Sequence, residues 1–402
     1  MDIGSFRVDR WLETPGLGIG HHTETFEEVA IKTDQFSSTL PREAAILQSL
    51  SGGIGIPTLY WFGKTSDQKI MITEALGPSL EEIFVRANRF FDLSMLLEIA
   101  AQLIFRLEWV HSRHISHGQL SPSSFTMGNS IWQTPQVVLA DFTDVDGSER
   151  SAQQDLQAIG DIVIYLATGY SSWELFQSEK PDLAEVPHCL SQFIYMISES
   201  TNNPADYVNL RRHFRDARRC LAGRALLGAL RPSDKETPTL KSLSGWKSGR
   251  LFDLLSSQLA TVGQTIGDPK IAWGEDQATF IMKSLNDIMS IYLVLLLRDK
   301  PTPKRRKYLN GAYHLPNRLW RDLRWYLGMS RCGSLPLQRL LSINIYKYMG
   351  VLLEVVPGYN GYWTKFLSDV AHLQMGLDMD CLLLWRHAWI HWRNCANFLA
   401  KA

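Results

Sequence analysis

The stretch from Trp109 to Asp144, WVHSRHISHGQLSPSSFTMGNSIWQTPQVVLADFTD, narrows most what this chain can become. It overlaps the end of a long amphipathic pattern, Leu93 to His114, whose apolar residues recur at helical spacing. A polar segment follows, His117-Gly118-Gln119-Leu120-Ser121-Pro122-Ser123-Ser124, and beyond it stands Asp141-Phe142-Thr143. Two short polar motifs placed behind one long helix are how a rigid scaffold presents functional groups on loops. The groups at these positions are an amide, several hydroxyls and one carboxylate.

Composition adds outer limits. With 402 residues the chain has room for two or three domains, and its 45% hydrophobic and 20% charged residues allow sizeable cores. Zero formal net charge gives no whole-molecule field for nucleic acid or an acidic partner. Five scattered cysteines, with no C-x-x-C pair, suggest neither a zinc site nor a disulfide framework. Their odd number and the lack of a secretory leader point to an intracellular protein, cytoplasmic or nuclear. The longest apolar run, Ile288 to Leu297, is about half a membrane span and reads as a buried helix, so no membrane partner is expected.

Upstream, Glu28-Val29-Ala30-Ile31-Lys32 alternates like a strand and ends in a lysine. Pro41 to Leu50 has helical periodicity with a proline at its start, and carries Glu43. The earlier GLGIG lacks G-x-G-x-x-G spacing and reads as an ordinary glycine turn. Two longer strings follow in order, GGIGIPTLYWFG from Gly52 and LGPSLEEIF from Leu76. They resemble the casein kinase 1 branch of the protein kinases, in which a G-G-x-G-I-P turn follows one helix and L-G-P-S-L-E-x-x-F follows the hinge. Asn203 to Phe214 resembles the string that closes that domain, so the resemblance runs from about Ile3 to about Leu221.

The resemblance implies a bilobal kinase-like fold. Lys32 would be the phosphate-pairing lysine and Glu43 its partner. Thr73 would be the gatekeeper, and Glu74, Ala75 and Leu76 the hinge. Ala30, Lys32, Glu43, Thr73, Glu74, Leu76 and Asp141 would line a vestigial nucleotide pocket. His117, Phe142 and Leu47 would stack as an apolar spine, and Asp155 would hold backbone N–H groups of the catalytic loop. An active relative shows H-R-D-x-K-P-x-N and D-F-G. Here the base position is Gln119, which cannot take a proton at neutral pH. The phosphate lysine is Ser121, the metal asparagine Ser124, and the last glycine of D-F-G is Thr143. The interval from Phe142 to Asp155 is about a third of the length an activation segment needs. Asp144 and Asp146 are the acids nearest to a replacement base.

Beyond Ala222 no family is recognised. Residues 223–250 include the Pro-, Ser- and Lys-rich Arg231 to Gly249 and read as a linker or mobile loop. Residues 251–402 read as a helical domain, with helices over Leu251–Val262, Gln277–Leu297, Leu315–Leu327, Leu335–Val355 and Tyr362–Ala400. Trp385, Trp389 and Trp392 share a helical face. Core packing is one reading of that stripe, and a docking ridge for a partner protein is the other. Lys304-Arg305-Arg306-Lys307 reads as a solvated loop, with phosphate-backbone contact or nuclear import as the sharper alternative. His387 and His391 have metal-pair spacing but no third ligand.

The expectation is α+β: a kinase-like domain over 1–222, with lobes meeting near residue 76, then a mostly helical C-terminal domain. A protein that keeps fold positions and loses reactive ones reads as a pseudokinase, a non-catalytic scaffold or allosteric subunit in a protein complex. A nucleotide-binding switch without phosphoryl transfer, and an atypical residual kinase, are the alternatives. No cofactor is expected under the first reading; the second would take ATP and Mg²⁺.

Overall fold

A computed structural model of the chain describes residues 2–34, 39–65, 68–128, 136–143, 145, 152–169, 187–199, 206–220, 243, 245, 247–267, 275–298, 314–329 and 335–401. The fold is α+β. Strands β1 (Asp2–Ile3), β2 (Phe6–Trp11), β3 (Leu17–His22), β4 (Glu28–Thr33), β5 (Leu59–Lys64) and β6 (Lys69–Glu74) form one antiparallel sheet. Their order is β1-β2-β3-β4-β6-β5.

Register decides which residues share a face, because paired residues lie together and side chains alternate along a strand. Ile19 pairs with Ala30, Ala30 with Thr73, and Lys32 with Met71, so these share one face. Val29, Ile31, Ile70 and Ile72 take the other face and form a small core with Ile3 and Phe6. GLGIG departs from the expected turn. Gly16 makes the turn at φ 78°, whereas Gly18 and Gly20 lie within β3. A Cβ on Gly20 would stand 2.2 Å from the Arg7 carbonyl oxygen, so the strand pairing itself needs the glycine.

Helix α1 (Leu40–Ser49) starts with a proline and buries Leu40, Glu43, Ala44 and Leu47, the i, i+3, i+4, i+7 face. Ala75 is the single residue between β6 and β7 (Leu76–Ser79). With β8 (Phe125–Gly128) and β9 (Val137–Leu139), β7 forms a three-stranded sheet. The LGPSLEE string is a capping device: Ser79 Oγ accepts from the Glu82 N–H, and Glu82 Oε2 from the Ser79 N–H, both at 3.2 Å. It starts α2 (Leu80–Arg86). Helix α3 (Leu93–Ser112) follows, capped by Asp92, then α4 (Ala152–Thr168), α5 (His188–Glu199) and α6 (Tyr207–Cys220).

The remaining helices are α7 (Ser248–Gly267), α8 (Glu275–Arg298), α9 (Leu315–Met329), α10 (Leu335–Val355), α11 (Asn360–Leu377) and α12 (Leu382–Lys401). The sequence pattern suggested one helix from Tyr362 to Ala400. Instead the chain breaks at Asp378, which leaves helical geometry at φ −128°, ψ 77°. The apolar stripe spans the break because α11 and α12 pack against each other and serve the same core. By length and composition one helix among the described residues, Asp276–Arg298, is a candidate membrane span, and 67% of its apolar window is buried inside the protein; Leu335–Val355 and Pro357–Leu377 pass the same test only if taken together, across a 107° bend.

One continuous apolar cluster runs from Leu40 through α3, α4, α8 and α10 to Trp392. The GGIGIP turn shows how tightly its parts meet. Gly52 and Gly55 take φ 77° and 71°. A Cβ on Gly53 would lie 2.3 Å from Trp109 Nε1, and one on Gly55 1.8 Å from Arg106 Nε. Only glycine lets this backbone lie on α3.

Candidate functional site

Lys32 leaves β4 and Glu43 leaves the first turn of α1. Lys32 Nζ donates to Glu43 Oε2 at 2.6 Å and to Thr143 Oγ1 at 3.0 Å. Burial holds the Glu43 carboxyl above its ordinary range, and the Lys32 ammonium pulls back against that rise. Ala30 and Thr73 lie on the Lys32 face of the sheet, half-buried. Glu74 ends β6, and its Oε2 accepts from Lys347 Nζ of α10. Leu76 opens β7, half-buried.

Asp155, on the first turn of α4, is 1% exposed and anchors the loop after α3. Its Oδ2 accepts from the His117 N–H at 2.7 Å and meets His111 Nε2 at 2.9 Å. Its Oδ1 accepts from the Gly118 N–H at 2.6 Å, and Gly118 bends the loop there at φ 83°. Burial raises the Asp155 carboxyl, but the hydrogen bonds from His111, Gly118 and His117 outweigh it and hold the group below its ordinary value. His111 in turn meets Tyr207 Oη at the start of α6.

His117 Nε2 lies 2.6 Å from the Asp141 carbonyl oxygen, and the imidazole sits 5.5 Å from the Phe142 ring. His117, Phe142 and Leu47 are 3%, 0% and 1% exposed. Asp141 is exposed, and its Oδ1 accepts from the Thr143 N–H at 3.0 Å. Gln119 is exposed. Ser121 and Ser124 close on each other, with Oγ atoms 3.2 Å apart and the Ser121 N–H donating to Ser124 Oγ at 3.1 Å.

The structure thus gathers Lys32, Glu43, Thr143 and Asp141 on one side, and His117, Ser121, Ser124 and Asp155 on the other. Sequence reasoning missed His111 as the partner of Asp155 and Thr143 as the second partner of Lys32. It also missed Arg106, which is 0% exposed and donates to the Val137 carbonyl at 2.8 Å and to Glu354. An arginine within the apolar stripe of α3 was the available signal.

The tryptophan stripe does not form a docking ridge. Trp385 and Trp392 are 7% and 2% exposed. Trp392 stacks on Trp109 and donates from Nε1 to Tyr346 Oη at 2.5 Å, while Trp385 meets Tyr346 edge-on. Trp389 is half-buried beside His372, with Arg393 above its ring. The period fixes a face, and the face turns inward.

Among the described residues no group of three or more His, Cys, Asp or Glu side chains could hold a metal ion. Lys304 to Lys307, Asp144, Asp146 and most of 223–250 lie outside the described residues. No family model matches the chain.

Proposed function

We propose that this chain is a kinase-like protein without phosphoryl transfer, acting as a scaffold or allosteric subunit of a protein complex. One observation carries the loss of catalysis. The loop after α3 keeps its anchor, Asp155, yet presents the amide of Gln119 where a carboxylate base would stand. Ser121 and Ser124 satisfy each other instead of facing phosphate and metal. The kinase-like part of the proposal is supported by a lysine on one strand meeting a glutamate on the next helix, as the resemblance implies.

Assay of the full chain with ATP, Mg²⁺ and acidic casein-like peptides tests it. The expected result is no turnover, and none in the Gln119→Asp variant, which still lacks Ser121 and Ser124 replacements. Turnover abolished by Lys32→Ala would overturn it. A nucleotide-binding switch is the second reading, favoured by the 26% exposure of the Lys32 side chain beside a 4% exposed Glu43. Against it, Thr143 already occupies one Lys32 donor. Absence of thermal stabilisation at millimolar ATP with Mg²⁺ would remove this second reading.

A further inference from the structure

Helix α10 touches both parts of the first half along a single face. Tyr346 Oη donates to the Gly52 carbonyl at 2.6 Å, in the turn after α1. Lys347 Nζ donates to Glu74 Oε2, one residue before the chain crosses from the six-stranded sheet to β7. Gly350 lies against Ile54, where a Cβ would approach Ile54 Cγ1 and Cγ2 at 2.9 Å. Glu354 takes Arg106 of α3, with Oε2 3.3 Å from Nη2 and Oε1 bound by Nη1. Positions 346, 347, 350 and 354 share one side of a helix. Lys347 therefore grips the sheet and Glu354 grips the helical part, on the far side of the Ala75 crossover.

Both grips are shielded. Arg106 is 0% exposed with Glu354 at 13%, and Lys347 is 24% exposed with Glu74 at 12%. Ion pairs removed from water hold geometry better than exposed ones, because losing one partner strands the other in a poor solvent. At 1.5 Å per residue the 21 residues of α10 reach about 30 Å, enough to touch both parts. The α12 side backs the helix, since Trp392 donates to Tyr346 and Trp385 meets its ring. A single residue between two sheets is otherwise where a chain of this kind flexes.

We propose that α10 is an internal brace: Lys347 and Glu354 lock the angle between the six-stranded sheet and the α3 part, holding the Lys32 strand and the loop after α3 at one separation. This holds whether or not the chain handles nucleotide, so it goes beyond the function proposed above.

The test is pulsed electron-spin distance measurement on the full chain. Nitroxides are placed through non-natural residues at Arg10 of the sheet and Ser123 of the loop, leaving the cysteines intact. The parent chain is expected to give one narrow distance distribution. Lys347→Met and Glu354→Met each remove one grip while keeping most of the packing, and each is expected to at least double the width. Arg7→Gln, which removes only the exposed pair with Asp2, is expected to leave the width unchanged. Either grip variant that keeps the parent near-ultraviolet dichroism is sufficient, so a folding failure in one leaves the other decisive. A broad or two-peaked parent distribution, or an unbroadened folded grip variant, would overturn the proposal.

Discussion

Lys32 and Glu43, eleven residues apart, meet at 2.6 Å with very unequal shelter: the lysine side chain is 26% exposed and the glutamate 4%. Removing the lysine therefore strands a buried carboxylate. Lys32→Ala is expected to cost about 1–3 kcal/mol at pH 7. Burial already raises the Glu43 carboxyl, and losing Lys32 removes the main opposing pull. A raised carboxyl destabilises the fold only where it is ionised, so the Lys32→Ala penalty should shrink from pH 8 to pH 5. Adding Glu43→Gln should recover much of it at pH 7. Urea midpoints at both pH values check this.

Gly55 and Gly263 are expected to respond to alanine with opposite signs. Gly55 sits at φ 71° with Arg106 Nε 1.8 Å from its would-be Cβ. Arg106 cannot step aside without breaking its bonds to Val137 and Glu354. Gly55→Ala should cost about 3 kcal/mol or more. Gly263 lies inside α7 with Trp325 at 3.5 Å, an ordinary contact. There Gly263→Ala should stabilise by up to about 1 kcal/mol. Denaturant midpoints read both.

These contrasts mark what the sequence makes legible. Lys32 and Glu43 could be paired in advance only through the resemblance: periodicity puts one on a strand and the other on a helix, and a spacing of eleven residues carries no pairing signal of its own. Asp155 was likewise placed at a helix start. Lys347 with Glu74, and Arg106 with Glu354, are 273 and 248 residues apart, and no local pattern carries them. Periodicity gave Trp385 and Trp392 a common face but not what covers it, which is Tyr346 and Trp109. The break at Asp378 was hidden because α11 and α12 keep one apolar rhythm while turning over the same core.

Asp155→Asn tests the anchor of the polar loop. Both carboxylate oxygens accept, from His117 and His111 on one side and Gly118 on the other. An amide keeps one acceptor and turns NH₂ toward a donor, at an expected cost of about 2–3 kcal/mol. The Asp155 carboxyl titrates below its ordinary 3.8 in the fold. Its stabilisation is present above pH 3.8 and lost as pH falls through the lower folded value. The parent should therefore lose more stability than Asp155→Asn when taken from pH 5 to pH 3, as followed by urea titration.

His391 should set a second, milder acid response. Its ring meets both Trp109 and Trp392 edge-on, beside their stack, at 5.0 and 4.7 Å between centroids. Burial, reinforced by the Arg113 and Arg211 cations, pushes the imidazole down to about 4 from 6.5. The unfolded chain takes its proton near 6.5 and the folded one only near 4, so stability must fall as pH drops between them. The full effect is up to about 3 kcal/mol at one pKa unit per 1.4 kcal/mol. His391→Phe keeps a ring against the edges of both indoles and carries no proton. Its unfolding free energy should stay flatter than the parent's from pH 6.5 to pH 4, and equal slopes in the two proteins would show that the imidazole takes its proton while folded.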